Sequence, residues 1–293
     1  PARRYPAVRP APARGLGPRR PGGCLRRIII TRSERQEITV HSWAEVNDVL
    51  FDEPIRSDIG RWRSNFAFRG LSDANYDLAT TLVRQGREHT NLEPHIIRSF
   101  QKYAHLEMHE ESSIWNWLSL AQHHGLPTRL LDWTYSPWVA LHFAIDKHFD
   151  RDGAIWCVNF VETNKRLSPR LRHRLDLSDA RVFTTVLLNE EVKTLEEFDG
   201  QRNSPFVVFL EPPSLDARIV NQYALFSVIS DPDIDMHDWL PDEPGVWRKV
   251  IIPADLKWEI RDKLDQAGIN ERVLFPGLDG LSSYLKRYYM PKR

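Results

Sequence analysis

Cysteine is scarce: Cys24 and Cys157 are the only two in 293 residues. That excludes a disulfide framework or a cysteine-built zinc site and fits a reducing compartment. No apolar run approaches the roughly 18 residues of a membrane span, so the reading is a cytoplasmic chain with no membrane partner. A Walker loop, a G-x-G-x-x-G turn, a G-x-S-x-G elbow and a kinase signature are all missing, which argues against the standard NTPase, dehydrogenase, hydrolase and kinase classes. There is no internal repeat. An excess of charge is also lacking, with 40 Lys and Arg against 40 Asp and Glu. The balance hides an asymmetry. Residues 1–27 hold eight Arg and no acid, which leaves residues 28–293 at a net −8. An acidic body offers no broad basic face, so nucleic-acid binding is expected only through the basic tail.

What is present suffices for one sizeable core: 41% hydrophobic residues and ten Trp. Residues 1–27, with six Pro and no apolar periodicity, read as a disordered Arg/Pro-rich extension rather than a transit peptide. Residues 28–293 read as a single domain. Its pattern predicts a strand over 28–40, a helix over 41–50 capped by Ser42, and a strand over 65–69 ended by Gly70. Helices over 92–111 and 113–123 follow. Further strands are expected over 128–134, 154–160, 206–210, 223–229 and 247–252, and helices over 255–266 and 278–289. Residues 161–203 read as charged and irregular apart from a helical stretch near 191–198. The class is α+β, a mixed, mainly antiparallel sheet of short strands interrupted and flanked by helices.

The stretch from Trp117 to Ile145 surrounds many polar groups with apolar mass. Alternation puts Leu130, Asp132 and Thr134 on one side of its strand and Arg129, Leu131 and Trp133 on the other. Ser136 and Pro137 then open an apolar, buried helix, by capping and by occupying the first helical position. Asp132, Thr134 and Ser136 therefore flank a helix N-terminus, which favours an anionic ligand. Arg69, at a strand end beside Gly70, suits a phosphate or carboxylate; the alternative is an ion pair with an acid such as Asp132. Thr80, Thr81 and Arg84 are candidates to flank the site. His123 and His124, ahead of Gly125, either hydrogen-bond a substrate or cap their helix. His105 and His109 stand four apart, but H-x-E-x-H is not the H-E-x-x-H zinc motif, and no metal is expected.

Four blocks carry a family resemblance: Phe68-Arg69-Gly70, Gln122-His123-His124-Gly125, the run from Pro127 to Pro137, and Ala217-Arg218-Ile219 with Gln222 and Phe226. In this order they resemble the FRG domain family over roughly residues 60–280. More distantly, the chain is similar to ADP-ribosyltransferases. Those enzymes bring an Arg from a first strand, a Ser-Thr-Ser-like strand followed by an apolar helix, and an acid from a later strand. That resemblance implies an ADP-ribosyltransferase-like core, NAD as substrate and an unknown macromolecular acceptor, protein or nucleic acid, in a toxin or phage-defence setting. It implies NAD contacts from Arg69, His123, His124, Thr134, Ser136 and Arg218. The later-strand acid is replaced here by Gln222, which holds a hydroxyl but carries no charge, so the role passes to Asp132 or Glu211. Two alternatives stand beside it: a non-catalytic nucleotide- or partner-sensing module, and a hydrolase or nuclease pairing His123 or His124 with Asp132. For the latter the available nucleophiles are Thr134 and Ser136.

Overall fold

In a computed structural model, residues 36–57, 59–86, 91–104, 106, 112–201 and 204–291 are described. They lie in one compact unit, Ser33–Arg293. The expected disorder of residues 1–27 and the start of the strand at 28 fall outside the described residues, as do His105 and His109.

Ten strands form among the described residues: β1 (Glu37–Thr39), β2 (Ile55–Arg56), β3 (Arg61–Trp62), β4 (Phe66–Leu71), β5 (Leu130–Thr134), β6 (Gly153–Asn159), β7 (Phe183–Thr184), β8 (Val207–Glu211), β9 (Ala224–Ile229) and β10 (Trp247–Ile252). Eight make one sheet in the order β1-β10-β6-β4-β5-β9-β8-β7, and β2 pairs with β3 separately. The two outermost pairings, β1 with β10 and β7 with β8, are parallel; the pairings between them are antiparallel. Helices cover the sheet, so the class is α+β with a mixed, mostly antiparallel sheet.

Period-two alternation assigns the strand side chains to two faces. On one face Ala67, Leu71, Leu131, Trp133, Trp156 and Val158 join a core that also takes in Val207, Phe209 and Leu225. The other face divides. Leu130, Val208, Leu210 and Phe226 pack against the helix Ile114–His123 and the helices of 169–200. Phe66, Phe68, Ile155, Cys157 and Val250 pack against the helices Trp43–Leu50, Pro137–Ile145 and Lys257–Gln266. Asp132 and Thr134 lie on β5 between these two apolar bodies.

The helix Pro137–Ile145 begins where Ser136 accepts from the Val139 N–H at 3.4 Å. It lies unusually close to the sheet. A Cβ on Gly70 would stand 1.8 Å from the Ala140 carbonyl oxygen, and one on Gly153 would stand 2.1 Å from that of Ala144. Gly70 therefore does not end its strand, as the pattern predicted. It pairs with Ile155 inside β4, and its missing side chain lets the helix backbone touch the sheet.

Residues 160–200 also differ from expectation. They form the helices Phe160–Asn164, Pro169–Leu177, Thr185–Glu191 and Leu195–Gly200, capped by Asn159, Ser168, Thr184 and Thr194. These helices satisfy their first N–H groups through side-chain oxygens and bury Leu171, Leu188 and Phe198 in the core.

Candidate functional site: the opening between β4 and β5

β4 pairs with β6 along its length but meets β5 only where Phe68 faces Thr134. Past that point the strands diverge, and the Arg69 side chain reaches across the gap. Arg69 Nη1 donates to the Asp132 carbonyl oxygen at 2.5 Å and lies 3.7 Å from Asp132 Oδ2. The arginine side chain is 13% exposed and the aspartate 59%, so the pair is open on the acid side. Arg69 Nε is buried with no hydrogen-bond partner. Burial, opposed by Asp132 and reinforced by the nearby Arg84, pulls the Arg69 pKa down from its ordinary value. A guanidinium with a second cation beside it is under-neutralised, and an anion in the opening would relieve that.

Three hydrogen bonds close a ring of distant segments around this opening. Gln122 Nε2 donates to Asp132 Oδ2 at 2.9 Å. Thr134 Oγ1 donates to the Gln222 carbonyl at 2.7 Å. His123 Nε2 lies 2.6 Å from Asp216 Oδ2. The helix end at 122–123, the strand at 132–134 and the segment 216–222 thus bind one another in turn. Thr128 braces the first side: its hydroxyl donates to Gln122 Oε1 at 2.5 Å, and Thr81 Oγ1 receives its N–H at 3.2 Å.

The remaining candidates divide by what they touch. Ser136 is occupied as the helix cap, and its own N–H donates to Thr134 Oγ1 at 3.0 Å. Gln222 Nε2 donates to the Leu274 carbonyl at 2.9 Å, which fastens segment 216–222 to the helix Glu271–Leu274. Arg218 lies over the Phe275 ring at 5.1 Å. Glu211, at the end of β8, accepts from the Tyr135 hydroxyl at 2.9 Å. Burial and this carboxylate push the Tyr135 pKa well above its usual value, keeping the phenol protonated. His124 caps its helix and packs edge-on against His123. The ring brings together Asp132, His123, Thr134 and the Gln222 backbone, with Arg69 bonded to its Asp132 corner. The Glu211 carboxylate is turned to Tyr135 and the Arg218 guanidinium to Phe275, while His124 touches the ring only through His123.

Two contributors went unread in the sequence. Asp216 caps the helix Ala217–Asn221 and pairs with His123, and its signal was an Asp directly before Ala217. Hydrogen bonds from the Ile219 N–H and the His123 ring outweigh its burial and lower its pKa. Arg129 is buried at the foot of β5. Its Nε donates to Glu93 Oε2 at 2.5 Å and its Nη1 to Asp199 Oδ1 at 2.7 Å. Nothing local in the sequence pairs residues 93, 129 and 199. Two surface hollows of about 240 and 510 Å³ lie along the helix Glu93–Tyr103 and touch none of these groups. Among the described residues no three His, Cys, Asp or Glu cluster as metal ligands. No helix there is long and apolar enough to cross a membrane.

No curated protein and no solved structure matches the chain. The model of the FRG domain matches residues 64–153, a span that carries Arg69, Gln122, His123, Asp132 and Thr134. That match covers the strands and helix ends that bear the Arg69 opening, so the chain carries an FRG domain over residues 64–153.

Proposed function

We propose that this protein binds NAD at the opening between β4 and β5 and transfers its ADP-ribose to a macromolecular acceptor, protein or nucleic acid. The observation that carries the proposal is the adjacency of β4, β5 and β9 in the sheet. These strands are far apart in the chain, and they bear or directly follow the three segments that the resemblance to ADP-ribosyltransferases singles out. On this reading Arg69, which lies beside the exposed Asp132 at the opening, takes the pyrophosphate, as a planar guanidinium does well. The turn from Thr134 to Ser136 lies against the ribose. Gln222, whose Nε2 is engaged by Leu274, offers Oε1 to a ribose hydroxyl. Breaking the bond to nicotinamide builds positive charge on the ribose. Asp132, the exposed carboxylate beside Arg69, supplies the opposite charge, since Glu211 is held by Tyr135.

The test uses the purified chain. NAD raises the melting temperature, nicotinamide is released, and Arg69→Ala removes both effects. Wild-type protein with neither effect refutes the proposal. A second reading, a nucleotide-sensing module without turnover, is favoured by one fact: the acid expected ahead of β9 is Gln222, an amide. It predicts the melting shift without nicotinamide release. A hydrolase or nuclease is disfavoured because Thr134 Oγ1 and Ser136 Oγ are both engaged in backbone hydrogen bonds. A role as a toxin or phage-defence effector predicts that expression arrests bacterial growth only while Arg69 is intact.

A further inference from the structure

We infer that His123 is the general base that deprotonates the acceptor, that Asp216 orients it, and that the acceptor consequently has a proton to lose, as a hydroxyl does and a carboxylate does not. The inference rests on the ADP-ribosyl-transfer reading above and adds the proton transfer which that reading leaves unassigned. Asp216 Oδ2 lies 2.6 Å from His123 Nε2. Since an ionised carboxylate only accepts, the imidazole proton sits on Nε2, and Nδ1 keeps its lone pair. Nδ1 makes no hydrogen bond and is not among the buried unpartnered atoms of the described residues. The ring is therefore held by one nitrogen and free to accept at the other, as an orienting carboxylate and a base are in hydrolytic triads.

Position supports the same role. His123 follows Gln122, whose side chain is bonded to Asp132 beside Arg69. Asp216 starts the segment that ends on the Gln222 carbonyl, where Thr134 is bonded. The pair is one side of the ring that surrounds the opening. The Asp132 carboxylate is the neighbouring corner of the ring, one residue away through Gln122, so a positive ribose held near Asp132 would meet an acceptor arriving past His123.

The step balances as follows. The acceptor oxygen forms a bond to the anomeric carbon as the bond from that carbon to nicotinamide breaks. The electron pair of the broken bond goes to the pyridine nitrogen, and neutral nicotinamide departs. The acceptor proton passes to His123 Nδ1, and the imidazolium is held by Asp216 until it releases the proton to solvent. A carboxylate acceptor is already deprotonated at neutral pH and would need no such group.

The experiment measures nicotinamide release and free ADP-ribose from NAD on the full chain, with water as the hydroxyl probe. Two variants are compared with wild type. His123→Gln keeps an N–H for Asp216 but cannot titrate, and Asp216→Asn keeps the helix cap. Wild type is expected to lose activity at acid pH. His123→Gln is expected to lower kcat by about a hundredfold, the lower end for a positioned base. It should also abolish the acid limb while the NAD-induced melting shift persists. Asp216→Asn is expected to give a smaller loss in kcat, again with the shift retained. Release from His123→Gln at the wild-type rate and with the wild-type pH profile overturns this inference and leaves the proposed function standing. Absence of release and of the shift in wild type overturns both.

Discussion

Replacing Gly70 by alanine tests how the helix Pro137–Ile145 is seated. The added Cβ would meet the Ala140 carbonyl oxygen at 1.8 Å, the Ala144 nitrogen at 2.7 Å and the Ala140 carbonyl carbon at 2.8 Å. All three are backbone atoms of a buried helix, so no side chain can swing aside. The helix must withdraw from β4 by more than an ångström and loosen its packing on Phe68 and Ile155. Overpacking typically costs 1–3 kcal/mol, and a rigid backbone partner puts this case at about 3 kcal/mol. For a chain of this size that is a fall of about 6–12 °C in Tm. The assay is urea unfolding followed by tryptophan fluorescence. Gly200→Ala is the control, because nothing lies within 4 Å of its added Cβ. A Gly70→Ala variant as stable as that control would refute the close-contact reasoning. A retained NAD-induced shift in a strongly destabilised variant would show that the Arg69 opening does not depend on how the helix is seated.

Other expectations follow from the buried charges. Glu93→Gln leaves Arg129 without its main partner in a site where the arginine side chain is 4% and the glutamate 0% exposed; a loss of about 3–5 kcal/mol is expected in chemical denaturation. His142 accepts from Arg261 Nη2 at 2.9 Å. Burial first, then Arg261 and, more weakly, Arg287, against an opposing Glu271, hold its pKa at about 3. The unfolded chain takes up this proton near pH 6.5 and the native chain refuses it until about 3, so stability declines as pH falls through that window. His142→Gln should flatten the decline in melts recorded from pH 7 to 4. Glu271 is opposed by burial but held at about 2 by Arg287 and Arg261. It contributes stability above about pH 4.3 that is lost as pH falls toward 2, and Arg287→Met should remove that acid-dependent part.

The capping signals were the most legible part of the sequence. Ser42 and Ser136 each accept a helix N–H, and β10 runs over the expected residues 247–252. Local chemistry sufficed there because a cap or an alternating run involves only near neighbours. The same chemistry was present but unread at Thr194, which accepts from the Glu197 N–H while Glu197 accepts from the Lys193 N–H. A helical stretch was expected there, near 191–198, but its cap and the helices Pro169–Leu177 and Thr185–Glu191 were not. Of the site, Arg69 and the turn at 132–136 were legible as chemical types. The pairing of His123 with Asp216, and the use of Gln222 to hold Leu274, were not, because each depends on contacts between segments distant in sequence.

The ring around the Arg69 opening also bears on synthesis. A growing chain that has emerged only to residue 153 contains the whole stretch recognised as the FRG domain, yet β5 still lacks its neighbour β9 and His123 has no Asp216 to face. Two of the ring's three bonds wait for residues 216–222, and their fastening to residue 274 comes later still. The ring around the opening is therefore not complete on the ribosome until nearly the last helix has been translated.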